Sequence, residues 1–218
     1  RLYIQGKLDD VLDLLEAVEV RVYKLRGTNP IADIYWLSSY VAENNPEIED
    51  IKARLIYIGQ KFVNDHVFSN YLDNAIYGNG SVRYILSEYN GDELSYEAYK
   101  DLQVEHVFSK EPNFDVSVYG FTDDYNYEKN RFGNLGLLEQ SLNKGLGNLP
   151  PINKVEGYIK SQITDIRNIA GEIQLGDFSK ENVDNRRNKI VEFCISRFRL
   201  NDGANIDTQN FESIEIEE

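Results

Sequence analysis

From Leu8 to Tyr89, and again from Lys154 to Leu200, apolar residues recur every three or four positions, in runs cut by Gly, Asn and Pro. That spacing lines apolar side chains along one face of a helix, so most of this chain can bury itself only as packed helices. Residues 8–25 place Leu8, Val11, Leu12, Leu15, Val18 and Val22 on one face before Gly27-Thr28-Asn29-Pro30 breaks the run. Ile31–Ala42 continues it to Asn44-Asn45-Pro46, and residues 47–64 carry Ile48, Ile51, Leu55, Ile58 and Phe62. A fourth period runs from Phe68 to Ile76. Ser81 is placed to cap a helix that ends at Asn90-Gly91, and Ser95–Leu102 adds a turn or two. Downstream, Lys154 to Ala170 reads as one helix bearing Val155, Tyr158, Ile159, Ile163, Ile166 and Ile169 on one side. A break around Gly171–Gly176 precedes a last helix ending near Leu200, in which Val183, Ile190, Val191, Cys194, Ile195 and Phe198 face inward, and Arg186, Arg187, Lys189 and Arg197 read as a solvated face.

Between Val104 and Pro151 the helical period fails. An apolar pulse, Val104-Glu105-His106-Val107-Phe108, sets an acid beside an imidazole. A loop rich in Tyr and Asn follows, then Phe132-Gly133-Asn134-Leu135-Gly136-Leu137-Leu138, then a short segment through Ser141-Leu142-Asn143-Lys144-Gly145. The expected order is strand, loop, strand, short helix. The fold class is therefore mainly α, a helical domain with an embedded hairpin-helix motif. Residues 1–103 are expected to be a helical lead-in, 104–200 the functional core, and 201–218, with six acids and no base, a loose acidic tail.

Composition narrows the class further. A lone Cys194 in an apolar helical run excludes a disulfide framework within the chain and points to a reducing, cytoplasmic setting. No apolar run approaches the length of a membrane span. The chain opens on Arg1 and holds no methionine, which reads as a segment excised from a longer protein. A formal charge of −14 opposes nucleic-acid binding by the chain as a whole. The acid sits at the flanks, however: residues 101–200 carry 15 acids against 13 bases. The middle permits contact with a polyanion without requiring it.

The central residue types suit phosphodiester hydrolysis. That reaction needs an activated water and a cation at the phosphate. Histidine takes up a proton near neutral pH, and a carboxylate with a side-chain amide makes a hard donor set for Mg²⁺ or Mn²⁺. Glu105, His106 and Asn143 are the right groups if the second strand and its helix fold back on the first, with Asn134 bracing the loop. Strand geometry raises one objection: adjacent residues point to opposite faces, so Glu105 and His106 share a site only if the strand bends or ends there. His106 is the firmer assignment of the two. His66, near a helix end without a matching partner, reads as structural. Tyr119, Tyr125 and Tyr127 read as loop packing rather than base-stacking groups.

The layout is that of a ββα-metal (HNH) nuclease site. The tract resembles the C-terminal HNH-like domain of GmrSD-type, modification-dependent (type IV) restriction enzymes, a group that includes SspE-like proteins. The likeness rests on Glu105-His106, on Gly133-Asn134-Leu135-Gly136-Leu137-Leu138, and on Asn143 nine residues after Asn134. Lys154, Tyr158 and Ser161 resemble the family's downstream helix, and Phe68–Leu72 with Val82–Leu86 its helical lead-in. Ser109 departs from the family's usual Pro three residues after the His. The resemblance implies a general base at His106, a structural Asn134, metal ligands at Glu105 and Asn143, and Mg²⁺ or Mn²⁺ as cofactor. His106, Asn134 and Asn143 are the expected catalytic set. Lys144 and Lys154 are candidate substrate-binding residues, Lys154 reading equally well as a solvated helix start. The expected activity is cutting or nicking of modified foreign DNA in a prokaryotic cytoplasm, alongside a nucleotide-hydrolysing N-terminal domain of the same protein and with no membrane partner. A catalytically inactive helical interaction module and an RNA-cleaving toxin stay open as other readings.

Overall fold

The structure is a computed structural model that describes residues 9–91, 94–176 and 178–200. Leu8 and the expected acidic tail, residues 201–218, lie outside them. The chain forms two compact units, Arg1–Tyr71 with Ile195–Glu218, and Leu72–Cys194. Among the described residues no helix is long and apolar enough to cross a membrane.

The first unit is helical. It holds α1 (Asp9–Val18), which passes into a π-helical segment (Glu19–Leu25), then α2 (Ile31–Asn44) and α3 (Ile48–Phe62); α4 (Asp65–Asp73) follows. The single period expected over 8–25 thus changes pitch at Glu19. Val11, Val18, Val20 and Val22 are buried, whereas Leu12 and Leu15 stay partly exposed. The wider turn accommodates Arg21, which is fully buried. Its Nε donates to the Phe198 carbonyl at 2.7 Å and its Nη1 to Asp65 at 2.6 Å, with the guanidinium 4.2 Å over the Phe68 ring.

The second unit carries the hairpin. Its elements are α5 (Val82–Asn90), α6 (Tyr96–Asp101), β1 (Leu102–His106), α7 (Tyr125–Glu128), β2 (Leu135–Glu139), α8 (Gln140–Leu146), α9 (Pro151–Ile159), α10 (Thr164–Gln174) and α11, which begins at Lys180 and ends at Arg197. The strands pair antiparallel from Leu102↔Glu139 to His106↔Leu135. Two strands alone are marginal in water. Here α5 and α8 pack on both strands and α10 on β2.

Several local expectations are corrected. Ser81 does not cap α5 through its side chain; its hydroxyl turns back to Asn79 Oδ1 at 2.7 Å. The helix expected from Lys154 to Ala170 is two, and Ile159, expected on its apolar side, ends the first and is exposed. The break falls where Ser161 Oγ and the Gln162 N–H both donate to the Glu139 carboxylate, at 2.8 and 2.7 Å, and the chain must open to reach it. The break expected around Gly171–Gly176 falls at its far end: α10 runs through Gly171 to Gln174, and α11 begins at Lys180. Asn134 lies not on the second strand but on a 3-10 turn, Phe132–Asn134, just before it.

Arg186 is the largest correction. It is not solvated but 7% exposed, paired with Asp165. Its Nη1 lies 2.9 Å from the carbonyl oxygens of Phe132 and Gly133 and 2.7 Å from that of Leu135. The Phe132 carbonyl also accepts the Leu135 N–H that closes the 3-10 turn, and Arg186 brings a further donor to these buried carbonyls. Gly133 makes the approach possible: a Cβ there would stand 1.9 Å from the main-chain oxygen of Val183 on α11. Gly133→Ala must therefore push α11 off the turn, with an expected loss at or above the upper end of the ~1–3 kcal/mol typical of overpacking. Gly171→Ala, a helical site whose new Cβ meets nothing within 4 Å, should instead stabilise by about 0.5–1 kcal/mol. Urea melts of the two variants beside the parent check the contrast.

Candidate active site

The register Glu105↔Gly136 and His106↔Leu135 holds to the last residue of β1, so these neighbours leave the strand on opposite faces. Glu105 is 6% exposed; its Oε1 accepts from Lys154 Nζ at 2.7 Å and from the Tyr158 hydroxyl at 2.8 Å. Both donors stand on α9, one turn apart. Lys154 is 1% exposed, and its ammonium also donates to the His106 carbonyl at 2.7 Å. One buried cation thus ties the Glu105 side chain to the main chain of His106. Burial pulls the Lys154 ammonium below its ordinary range while Glu105 acts to raise it. Burial, with the charge of Glu105 beside it, holds the Tyr158 phenol well above the usual range.

His106 is buried against Tyr77, edge to face with ring centroids 4.3 Å apart. Its Nε2 lies 3.2 Å from Asn130 Oδ1. The Asn130 amide nitrogen donates to the Asn126 carbonyl at 3.1 Å, which fixes the amide with its oxygen toward the imidazole. Nε2 therefore carries the hydrogen, and Nδ1 keeps the lone pair. Burial pulls the imidazole down to about 4; the Asn130 bond opposes this, and the charges of Lys154, Lys110 and Lys129 add to it. At neutral pH the ring is an uncharged proton acceptor.

Asn134 is fully buried and works as a brace. Its Oδ1 accepts from the Phe108 N–H at 2.7 Å, and its Nδ2 donates to the carbonyls of Phe108 and Lys129, both at 2.9 Å. Its own carbonyl accepts from the Val107 N–H at 2.9 Å. These bonds fix the chain immediately after His106 and immediately before Asn130. Ser109, at the family's proline position, is buried and donates its hydroxyl to the Leu149 carbonyl at 2.8 Å. In the loop, Phe108 packs on Tyr119, Phe121 and Phe178, with centroids 5.1, 4.8 and 5.7 Å away, and Tyr125 is buried with its hydroxyl on the Ser109 carbonyl.

Asn143, on α8, donates to Gln103 Oε1 on β1 at 3.1 Å, and Lys144 beside it is exposed. Gln103 and Glu105 lie on the same face of β1, two residues apart. The candidate residues therefore divide: Glu105 and Lys154 meet on one side of the strand, His106 on the other, with Asn134 behind the loop that joins them. A divalent ion needs open oxygen donors, and the Glu105 oxygen described here already meets an ammonium and a phenol. Among the described residues, no three His, Cys, Asp or Glu side chains are grouped to hold an ion. In this arrangement Glu105 and Asn143 do not fit a divalent cation, because Lys154 supplies the positive charge at that carboxylate.

Tyr77 and Asn130, the two side chains that set the imidazole, carry no signal in the sequence. Asn130 is 24 residues from His106 and belongs to no motif spacing. Arg186 was hidden by its helix, where basic residues read as solvent-facing.

Removing Lys154 leaves Glu105 buried without its cation. Lys154→Met is expected to cost about 3–5 kcal/mol. Adding Glu105→Gln to it should recover much of that loss, since a neutral amide keeps the Tyr158 bond without a buried charge. A double-mutant cycle of urea melts at pH 7 gives the coupling, and additive losses would mean that the pair is not coupled.

A family model described as GmrSD restriction endonucleases, C-terminal domain, matches residues 61–193, a span that takes in the hairpin, α8, α9 and every candidate residue. Comparison with curated proteins and with solved structures found no match. The match covers more than half of the chain, and the chain belongs to the family of GmrSD restriction endonuclease C-terminal domains.

Proposed function

We propose that this domain hydrolyses phosphodiester bonds in DNA, with His106 as general base within an HNH-like hairpin-helix site. The observation that carries the reading is the preparation of the imidazole. Its Nε2 hydrogen is held by an amide whose own orientation is fixed, and its Nδ1 has no hydrogen-bond partner among the described residues. Such a ring takes a proton from a water at Nδ1 while the opposite nitrogen stays bonded. Membership in a restriction endonuclease family supports DNA as the substrate. Modified foreign DNA as the target, and a nucleotide-hydrolysing domain elsewhere in the same protein as partner, follow from that family likeness and are part of the proposal. So is dependence on Mg²⁺ or Mn²⁺. Glu105 does not serve as a ligand to that ion in this arrangement, because Lys154 holds its carboxylate.

Plasmid DNA, with RNA in parallel, offered with Mg²⁺, with Mn²⁺ and with chelator, tests the reading. DNA cleavage by the parent and a loss of ~10²- to 10⁴-fold in His106→Ala are expected. Undiminished activity in His106→Ala removes the base assignment. Cleavage of RNA alone points to the toxin reading, and cleavage of neither to an interaction module.

The acid limb of kcat/KM, which reports the free enzyme, should lie near the depressed pKa of about 4 rather than near the ordinary value of about 6.5. The same shift affects folding. Between pH about 6.5 and 4 the unfolded chain binds a proton at this ring that the folded chain refuses, so stability is full above the window and falls as the pH drops through it. The contribution is about 3 kcal/mol by pH 4. Urea melts from pH 7 to 4 should show a shallower decline for His106→Gln than for the parent.

A further inference from the structure

We propose that Lys110 and Lys129 form a phosphate clamp beside His106, each ammonium taking one backbone phosphate of the nucleic acid presented to the imidazole. The proposal rests on the hydrolytic reading of His106 and adds the residues that seat the substrate.

The two lysines are tied into the surroundings of the ring. Lys110 lies four residues beyond the end of β1, and its Nζ is 5.3 Å from the centroid of Tyr77, the ring that packs against His106. Lys129 precedes Asn130, which holds His106 Nε2. Its Nζ donates to the Lys110 carbonyl and to Asn126 Oδ1, both at 2.8 Å. The Asn130 carbonyl accepts from the N–H groups of Ile76 and Tyr77 at 2.8 and 3.0 Å, which closes the ring of contacts. Lys110 is exposed and Lys129 half-buried. Both charges bear on the imidazole, since each helps to lower its pKa.

Neither lysine has a carboxylate partner among the described residues. In a chain of 37 acids and 23 bases, Lys24, Lys52, Lys61, Lys100 and Lys180 each reach a carboxylate, whereas Lys110 and Lys129, like the exposed Lys144, Lys160 and Lys189, reach none among the described residues. What sets these two apart is their place beside the Tyr77 and Asn130 that hold His106. Lys129 spends two of its three ammonium hydrogens on neutral oxygens, which position the group without neutralising it. Two uncompensated ammonium groups next to a neutral imidazole are suited to an anion, and a phosphodiester backbone delivers one charge per residue to each.

Equilibrium binding of a short fluorescent DNA duplex to His106→Ala, which is expected to bind without cutting, provides the assay. Each lost phosphate contact should lower the slope of log K against log salt by about 0.9. Lys110→Gln with Lys129→Gln should therefore flatten the slope by about 2 and weaken binding at low salt. Lys110→Arg with Lys129→Arg should keep the slope, and Lys160→Gln with Lys189→Gln, the same charge change at exposed sites elsewhere, should leave it nearly unchanged. Thermal melts accompany each variant, and the Arg pair separates loss of charge from loss of the loop. An unchanged slope in the Gln pair, or an equal drop in the distant control pair, overturns the clamp. If the parent cleaves DNA while the Gln pair binds as well as the parent background, the clamp alone fails. If the parent neither binds nor cleaves any nucleic acid, the clamp falls together with the hydrolytic reading.

Discussion

The ammonium of Lys154 closes the end of the hairpin, and the layout of the candidate site follows from it. Buried to 1% exposure, it meets the Glu105 carboxylate and the His106 carbonyl at 2.7 Å each. Desolvating a lysine and a glutamate costs several kcal/mol per ion, and their attraction repays this only with good geometry and satisfied hydrogen bonds. Here the ammonium has two oxygen acceptors and the carboxylate a second donor in Tyr158. The pair is thus weak evidence for net stability. It fixes which way β1 faces at its last two residues, and so sends the imidazole to the side of Tyr77 and Asn130.

A second buried cation does the same for the other strand. Arg186 reaches the three carbonyls around Gly133-Asn134-Leu135 from α11, and Asp165 on α10 balances its charge. One guanidinium nitrogen has two hydrogens for three acceptors, so at least one is shared. Between the two cations Asn134 joins the turn before β2 to the chain leaving β1. A two-stranded ladder, too small to order itself, is held from α9 and α11 by polar groups that allow a single register.

Much of this was legible in the sequence. Helices α2 and α3 and the core part of α11 followed from apolar spacing, because a helix that buries one face must repeat at that period. The Glu-His pair, Gly-Asn-Leu and Asn143 marked the hairpin and its helix, and the roles of Asn134 as a brace and of Cys194 as core packing could be read from type and context; Cys194 is buried and its thiol pushed up to about 12 by that burial. What was not legible depended on distant partners. The split between α9 and α10 answers to Glu139, a residue on another element, and propensity within 154–170 does not encode it. Arg186 and Lys154 were read by their charge as surface groups or ligand contacts, since periodicity cannot say which long side chain finds buried acceptors. Strand alternation did foretell that Glu105 and His106 would part.

That parting bears on how so acidic a chain can present a site to a polyanion. Net charge is a property of the whole surface, but a phosphate responds to charges within about a Debye length, ~8–10 Å in ordinary salt. The Glu105 carboxylate next to His106 in the chain is paired with Lys154, and the charges that act on the ring, those of Lys154, Lys110 and Lys129, are positive. Local field and total charge therefore have opposite signs. Burial is the main cause that keeps the imidazole unprotonated, and the lysine charges add to it; a phosphate paired with Lys110 and Lys129 would remove their share. On the proposed reading, a base held neutral in the free protein would become more basic as the phosphate arrives, and proton uptake at Nδ1 would be coupled to occupancy of the site.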